Sequence, residues 1–151
     1  MSRSGYSDDC DEDAGLYRGR VHSAMRGKRG RAFLAEMAAA LDALPEKRLI
    51  ANDFVQSVSG LPFAPKGGEV CAMGAVAVAR GMSDAADIDP EYIEAVAVKM
   101  GIADCMAREI AFENDEAVCR PETPEQRWQR MRKWIDGWLA VGPIVRKSKT
   151  A

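Results

Sequence analysis

The chain has 151 residues, 47% of them hydrophobic, 29% charged and only 7% aromatic, with a formal net charge of −2 at pH 7. That length suits one domain. No run approaches the roughly 18 apolar residues of a membrane helix, and the acidic, polar opening MSRSGYSDDCDEDAG lacks the basic and apolar regions of a secretory leader, so a soluble, intracellular protein is expected.

With few aromatics, Ala, Val, Leu and Met must fill the core, which favours helices. Residues 1–14 carry Asp8, Asp9, Asp11, Glu12 and Asp13 and almost nothing apolar. Such a segment cannot repay its ordering entropy and is expected to be mobile unless a partner holds it. Leu16, Tyr17, Val21, Ala24 and Met25 then recur at helical spacing and predict a helix over about 15–25. A second helix is predicted over 31–44, with Phe33, Leu34, Met37, Ala38, Leu41 and Leu44 on one face and Pro45 as its stop.

LIANDFV at 49–55 reads equally as a short strand or as a helical turn broken at Asn52. Gly60, Pro62, Pro65, Gly67 and Gly68 make 57–68 a loop. The next stretch, GEVCAMGAVAVARG at 68–81, places Ala72, Gly74, Ala75, Ala77 and Ala79 where a core helix usually has larger residues. Small residues let neighbouring backbones approach, so this helix is expected at the centre of the domain, ended by a left-handed Gly81.

Asp89 as N-cap, Pro90 in the first turn and Gly101 beyond the end mark a further helix with Ile93, Val96, Ala97 and Met100 inward. Another begins near Ala103, buries Met106, Ile110 and Phe112, and fades at Asn114 and Asp115. The last starts at Thr123, with Pro124 next and Gln126 completing a capping box. Its stripe is Trp128, Met131, Ile135, Trp138 and Leu139, with Trp134 off the stripe. Gly142 and Pro143 end it, and 143–151 is a basic tail expected to be disordered. The sum is an all-α, single-domain bundle of five or six helices over 15–142, with at most one short β pairing.

Chemistry-bearing patterns are few. Cys10, Cys71, Cys105 and Cys119 form no CxxC pair and His22 is the single histidine, so neither a metal site nor a cofactor is expected, and no nucleophile with its base appears. Charge is segregated: ten carboxylates lie between Met82 and Glu116 against Lys99 and Arg108, while cations gather at 18–31 and 120–149. Self-association between unlike faces is therefore one expectation. An acidic face can also occupy a basic groove, including one that normally holds nucleic acid. The residues expected to touch a partner are Asp104, Glu109, Glu113, Asp115 and Glu116. The run Glu113 to Glu116 also resembles paired carboxylates for proton transfer, but helix termination explains it more simply, with Asn114 or Asp115 turned inward to cap the small-residue helix. The helices at 89–113 have the alanine and turn-glycine spacing of a helix-turn-helix, yet their acidity would repel phosphates. A third alternative is a nucleotide-signal sponge in which cations and a tryptophan line a pocket between subunits.

The segments SRSGYSDDCD, RGKRGRAFLAEMAAALDALPEKRLI, GEVCAMGAVAVARG, GIADCMAREIAFENDE and ETPEQRWQRMRKW, in this order, resemble a group of small proteins encoded by phages and prophages of proteobacteria. The loop from Phe54 to Lys66 departs from that pattern. The group has no established catalytic or binding residues to carry over. The resemblance implies a phage setting, in which small non-structural proteins often bind a host or defence component, as CRISPR inhibitors do. On that analogy the chain is expected to be a non-enzymatic anti-defence inhibitor.

Overall fold

A computed structural model describes residues 3–6, 14–56 and 69–145. The acidic stretch Asp8–Asp13, Cys10, the loop 57–68 and the cations Arg146, Lys147 and Lys149 lie outside the described residues. The described chain is all-α. Six helices run α1 (Ala14–Arg26), α2 (Lys28–Ala43), α3 (Ala72–Ala79), α4 (Ile93–Met100), α5 (Asp104–Asp115) and α6 (Pro124–Val141). One antiparallel pair joins β1 (Val55–Gln56) to β2 (Glu69–Val70), with Val55 opposite Val70.

α2 starts three residues before its predicted beginning. Gly30 lies inside its first turns, where an added Cβ would come within 1.7 Å of the Ala24 carbonyl oxygen. Gly30 thus lets the α1 and α2 backbones meet at the corner between the two helices, while Gly27 is the N-cap of α2. Leu44 takes an extended conformation before Pro45 and ends α2 as expected.

α3 is enclosed on nearly all sides, with Ala72 to Ala77 buried without a break. It packs against α2 and α5. Gly74 explains the need for small residues: a Cβ there would lie 1.9 Å from the carbonyl oxygen of Phe54. The segment before β1 therefore crosses directly over α3. The ambiguous 49–55 stretch resolves as an irregular lead into β1, with Asn52 in the left-handed region at φ 62° and Leu49 and Phe54 fully buried.

α4 corrects one boundary. Asp89 and Pro90 do not open the helix; Asp89 accepts from the Glu91 amide at 3.0 Å and from the Tyr92 amide through its own carbonyl, forming a turn, and the helix begins at Ile93. Its inward face, Ile93, Val96, Ala97 and Met100, is the one expected, and Gly101 closes it at φ 73°. α5 sits between α1, α3, α4 and α6. α6 carries the full capping box, Thr123 with Gln126. Met131 and Ile135 are its buried centre, while Trp128, Trp138 and Leu139 pack from the margin of the core.

Candidate interaction sites

The five carboxylates expected to form a contact surface divide one against four. Asp104 is exposed. Glu109, Glu113, Asp115 and Glu116 turn inward and meet partners from elsewhere in the chain. Glu109 is 6% exposed and accepts from Arg18 Nη1 at 2.8 Å and from the Tyr6 hydroxyl at 2.6 Å. Glu113 pairs with Arg130 at 3.0 Å. Asp115 takes both Nε and Nη2 of Arg3, and its Oδ1 also accepts from the Asn52 amide at 3.1 Å and from Asn114 Nδ2 at 2.8 Å. Glu116 accepts from the Ser4 hydroxyl. The expected acidic face at 104–116 is therefore largely an internal ionic seam, because α5 lies at the middle of the bundle rather than on its rim.

Asn114 performs the capping role anticipated for it. Its Oδ1 accepts from the Ala72 amide at 3.2 Å, its Nδ2 donates to the Ile50 carbonyl at 2.8 Å, and the residue is 1% exposed. Together with Cys71, whose sulfur accepts from the Gly74 amide, it satisfies amides at the start of α3 that would otherwise be orphaned in the core.

Sequence reasoning missed the N-terminal residues as partners in this seam. Arg3 and Ser4 are buried at 5% and 0% exposure, against the expectation of a mobile segment. The overlooked signal is that Arg3–Tyr6 contains a cation and an aromatic, whereas the acids begin only at Asp8. Tyr6 sets its ring edge-on to Tyr17 at 5.5 Å and tilted on Phe112 at 5.2 Å. Burial, together with the hydrogen bond to Glu109, raises its phenol pKa well above the ordinary value. Burial likewise pushes the Glu113 carboxyl up, against the pull of Arg130.

The acids that stay outside lie earlier, before and on α4. Asp84, Asp87, Ile88, Asp89, Tyr92, Ala95 and Lys99 line one shallow groove of about 290 Å³. Lys99 pairs with Asp84 at 2.7 Å, and Glu94 pairs with Arg108. Among the described residues no cation forms an ion pair with Asp87, Asp89 or Glu91. Tyr92, the N-cap of α4, is 66% exposed, and Val98 on that helix is 79% exposed. The groove thus joins uncompensated negative charge to accessible apolar surface.

A second groove, of about 530 Å³, runs between α1 and α6 and is lined by His22, Glu113, Arg130, Lys133, Trp134, Gly137, Trp138 and Val141. His22 meets Trp138 edge-on at 5.0 Å, and Trp134 meets Trp138 at 6.4 Å. Lys133 and Arg130 also line an adjoining depression with Arg120 and Gln129. Aromatic faces therefore stand beside cations on one side of the bundle.

On α5, Met106, Ala107, Glu109, Ile110, Ala111 and Asn114 are buried against neighbouring helices. Among the described residues no three His, Cys, Asp or Glu side chains converge as metal ligands, and no helix is long and apolar enough to cross a membrane. Cys71 is buried, Cys105 half-buried and Cys119 exposed, all as free thiols. No family model matches the chain, and no curated protein or solved structure was found to be similar to it.

Proposed function

We propose that this chain is a non-enzymatic phage accessory protein that binds a host or anti-phage defence protein and inhibits or redirects it. The phage setting rests on the resemblance of the sequence, and the mode of action on one observation: the groove of Asp84, Asp87 and Asp89 floored by Ile88, Tyr92 and Ala95. Asp87 and Asp89, which form no ion pair among the described residues, and Asp84, paired with Lys99 at the surface, stand around an exposed tyrosine and fit lysine and arginine side chains, whose aliphatic stems pack on the ring while their heads meet the acids. A basic surface, including one that ordinarily holds nucleic acid, is the complementary partner. Within the acidic region 84–116 the proposed contact is carried by the acids of 84–94, since four of the five carboxylates at 104–116 are taken up by partners within the chain and Asp104 alone of them is exposed.

The test is functional. Expression of the chain restores phage plating on a host that carries the relevant defence system, and affinity purification from infected cells recovers the defence protein. Reversal of Asp87, Asp89 and Glu91 to lysine abolishes both effects without loss of helicity. Unchanged plating and recovery by that variant would reject the reading.

A second reading, a sponge for a small nucleotide signal, is favoured by the α1/α6 groove alone. Base stacking on Trp134 or Trp138 with phosphate on Lys133 and Arg120 is the chemistry it would use. Micromolar cyclic nucleotides should then raise the melting temperature through linkage, and a flat melting profile excludes it.

A further inference from the structure

We infer that the trough running along α6 and past the end of α1 binds single-stranded nucleic acid, with bases on Trp134 and Trp138 and phosphates on the cations at either end. It shares a groove with the nucleotide reading without resting on it, because a strand uses flanking cations that one nucleotide cannot span. Three depressions follow one another along α6. Arg120, Gln129 and Lys133 line the first; His22, Lys133, Trp134 and Trp138 the second; Ser23, Arg26, Lys28 and Arg31 the third. Lys133 belongs to the first two, and the neighbours His22 and Ser23 join the second to the third. α6 has 18 residues and is about 27 Å long, which accommodates on the order of four nucleotides.

The charge along this path is one-sided. Among the described residues no carboxylate forms an ion pair with Arg120, Lys133, Arg26, Lys28 or Arg31. Arg26 donates to the Gly142 and Pro143 carbonyls at 3.1 Å, and Arg31 to the Leu139 carbonyl at 3.3 Å. These bonds fix both guanidiniums at the end of α6 without cancelling their charge. The two carboxylates in the lining, Glu113 and Glu122, are both tied to Arg130, at 3.0 and 2.7 Å. Charges act over about 8 Å at physiological salt, so this local balance governs the trough rather than the net charge of −2.

The middle of the path supplies what a polyanion alone would not need. Trp134 and Trp138 are half-buried and meet at 76°, edge-on, so they are not stacked on each other and a ring face is left for a base. Gly137, beside Trp138 and one turn from Trp134, lines the same depression, and an added Cβ there would meet nothing within 4 Å. Glycine is a poor helix former, and no contact within the chain calls for one at this position. A planar group lying against the helix does. Stacking platforms flanked by a cationic groove hold single strands, whose bases are free, whereas a duplex keeps its base faces inside its own stack.

The experiment titrates the full-length chain into fluorescein-labelled oligothymidylate and oligouridylate of about 15 nucleotides and reads anisotropy. Binding is expected at about 50 mM salt, with a log–log salt slope of about −2 for three phosphate contacts, and the tighter oligonucleotide identifies the sugar. Lys28→Glu/Lys133→Glu, at two exposed positions, weakens binding at least about tenfold and flattens the slope. If that variant melts early, Lys28→Gln/Lys133→Gln takes its place. Gly137→Leu fills the space beside the indoles and weakens binding about tenfold too, with a melting temperature no lower than that of the wild type, since leucine is the better helix former. A wild type that ignores both strands overturns the proposal. So does equal binding by Gly137→Leu, which would leave charge as the whole explanation, and so does displacement of the strand by an equal concentration of polyglutamate, which would make an acidic protein the occupant. Melting with cyclic nucleotides speaks to the sponge reading separately, since a strand can bind while that melt stays flat.

Discussion

Residues 84–94 and 104–116 carry five carboxylates each, yet the two regions put them to opposite use. The first region keeps its acids in contact with water around Tyr92, with Asp84 and Glu94 paired only at the surface. The second buries the side chains of Glu109 and Asp115 and half-buries Glu113 and Glu116, and Arg3, Arg18, Arg130, Ser4 and Tyr6 meet these four. Both stretches are strongly acidic, with Arg108 as the one cation between them; the position of the helix made the difference. α4 covers one side of α5 and keeps its own outer face free, whereas α5 is packed by helices around it. A carboxylate on a central helix must find a cation or a donor, since an unpaired buried charge is costly.

The comparison can be broken most strongly at Asp115. Asp115→Ala leaves the Arg3 guanidinium buried without its partner and should cost about 3 kcal/mol in urea denaturation, whereas Asp87→Ala should stay within about 0.5 kcal/mol. Equal effects at the two positions would refute the division into inner and outer acids. Asn114→Ala should follow at about 2 kcal/mol, because it strips a buried amide at Ala72 and a carbonyl at Ile50 of their partner. Hydrogen exchange at Ala72 should accelerate in step with the loss.

Reversing Asp87, Asp89 and Glu91 to lysine should change stability by less than about 1 kcal/mol while removing partner binding, which a pull-down and a thermal melt measure together. The smallest effect is expected at Glu113. Its folded pKa lies above the ordinary 4.5, so the fold binds that proton more tightly than the unfolded chain does. The stabilising contribution is complete below the unfolded value and is lost as pH rises through the folded one. Glu113→Gln should therefore melt slightly higher than the wild type at pH 7, with the gap closing towards pH 4. Glu36, Asp42 and Glu122 go the other way, held low by hydrogen bonds from Arg80, Arg132 and Arg130. Their contribution is present above their unfolded values and lost as pH falls, so the net melting temperature should drop in acid.

Much of the fold was legible because its signals are local. Thr123, Pro124 and Gln126 specify a helix start through hydrogen bonds within four residues, and Gly81 and Gly101 specify stops through a backbone conformation that other residues resist. Asn114 as a cap for α3 was also foreseeable, since a short amide at a helix end beside an all-apolar helix has few other uses. Asp89 and Pro90 misled because an Asx turn and a helix N-cap use the same residues; only the chain's direction after Tyr92 separates them. The start of α2 fell three residues earlier than expected because a glycine in sequence does not say whether it lies outside a helix or within one where a neighbouring backbone comes close.

The candidate sites were less legible, and for a physical reason. Hydrophobic periodicity, caps and glycine stops act over a few residues, so the amino-acid sequence alone determined five or six helical segments, their inward apolar faces and the segregation of charge. Which carboxylates face water depends on pairs more than ninety residues apart in the chain, Arg3 with Asp115 and Arg18 with Glu109. Burial and ion pairing belong to the assembled bundle, and only the tertiary structure could decide that α5 is its interior and α4 its rim.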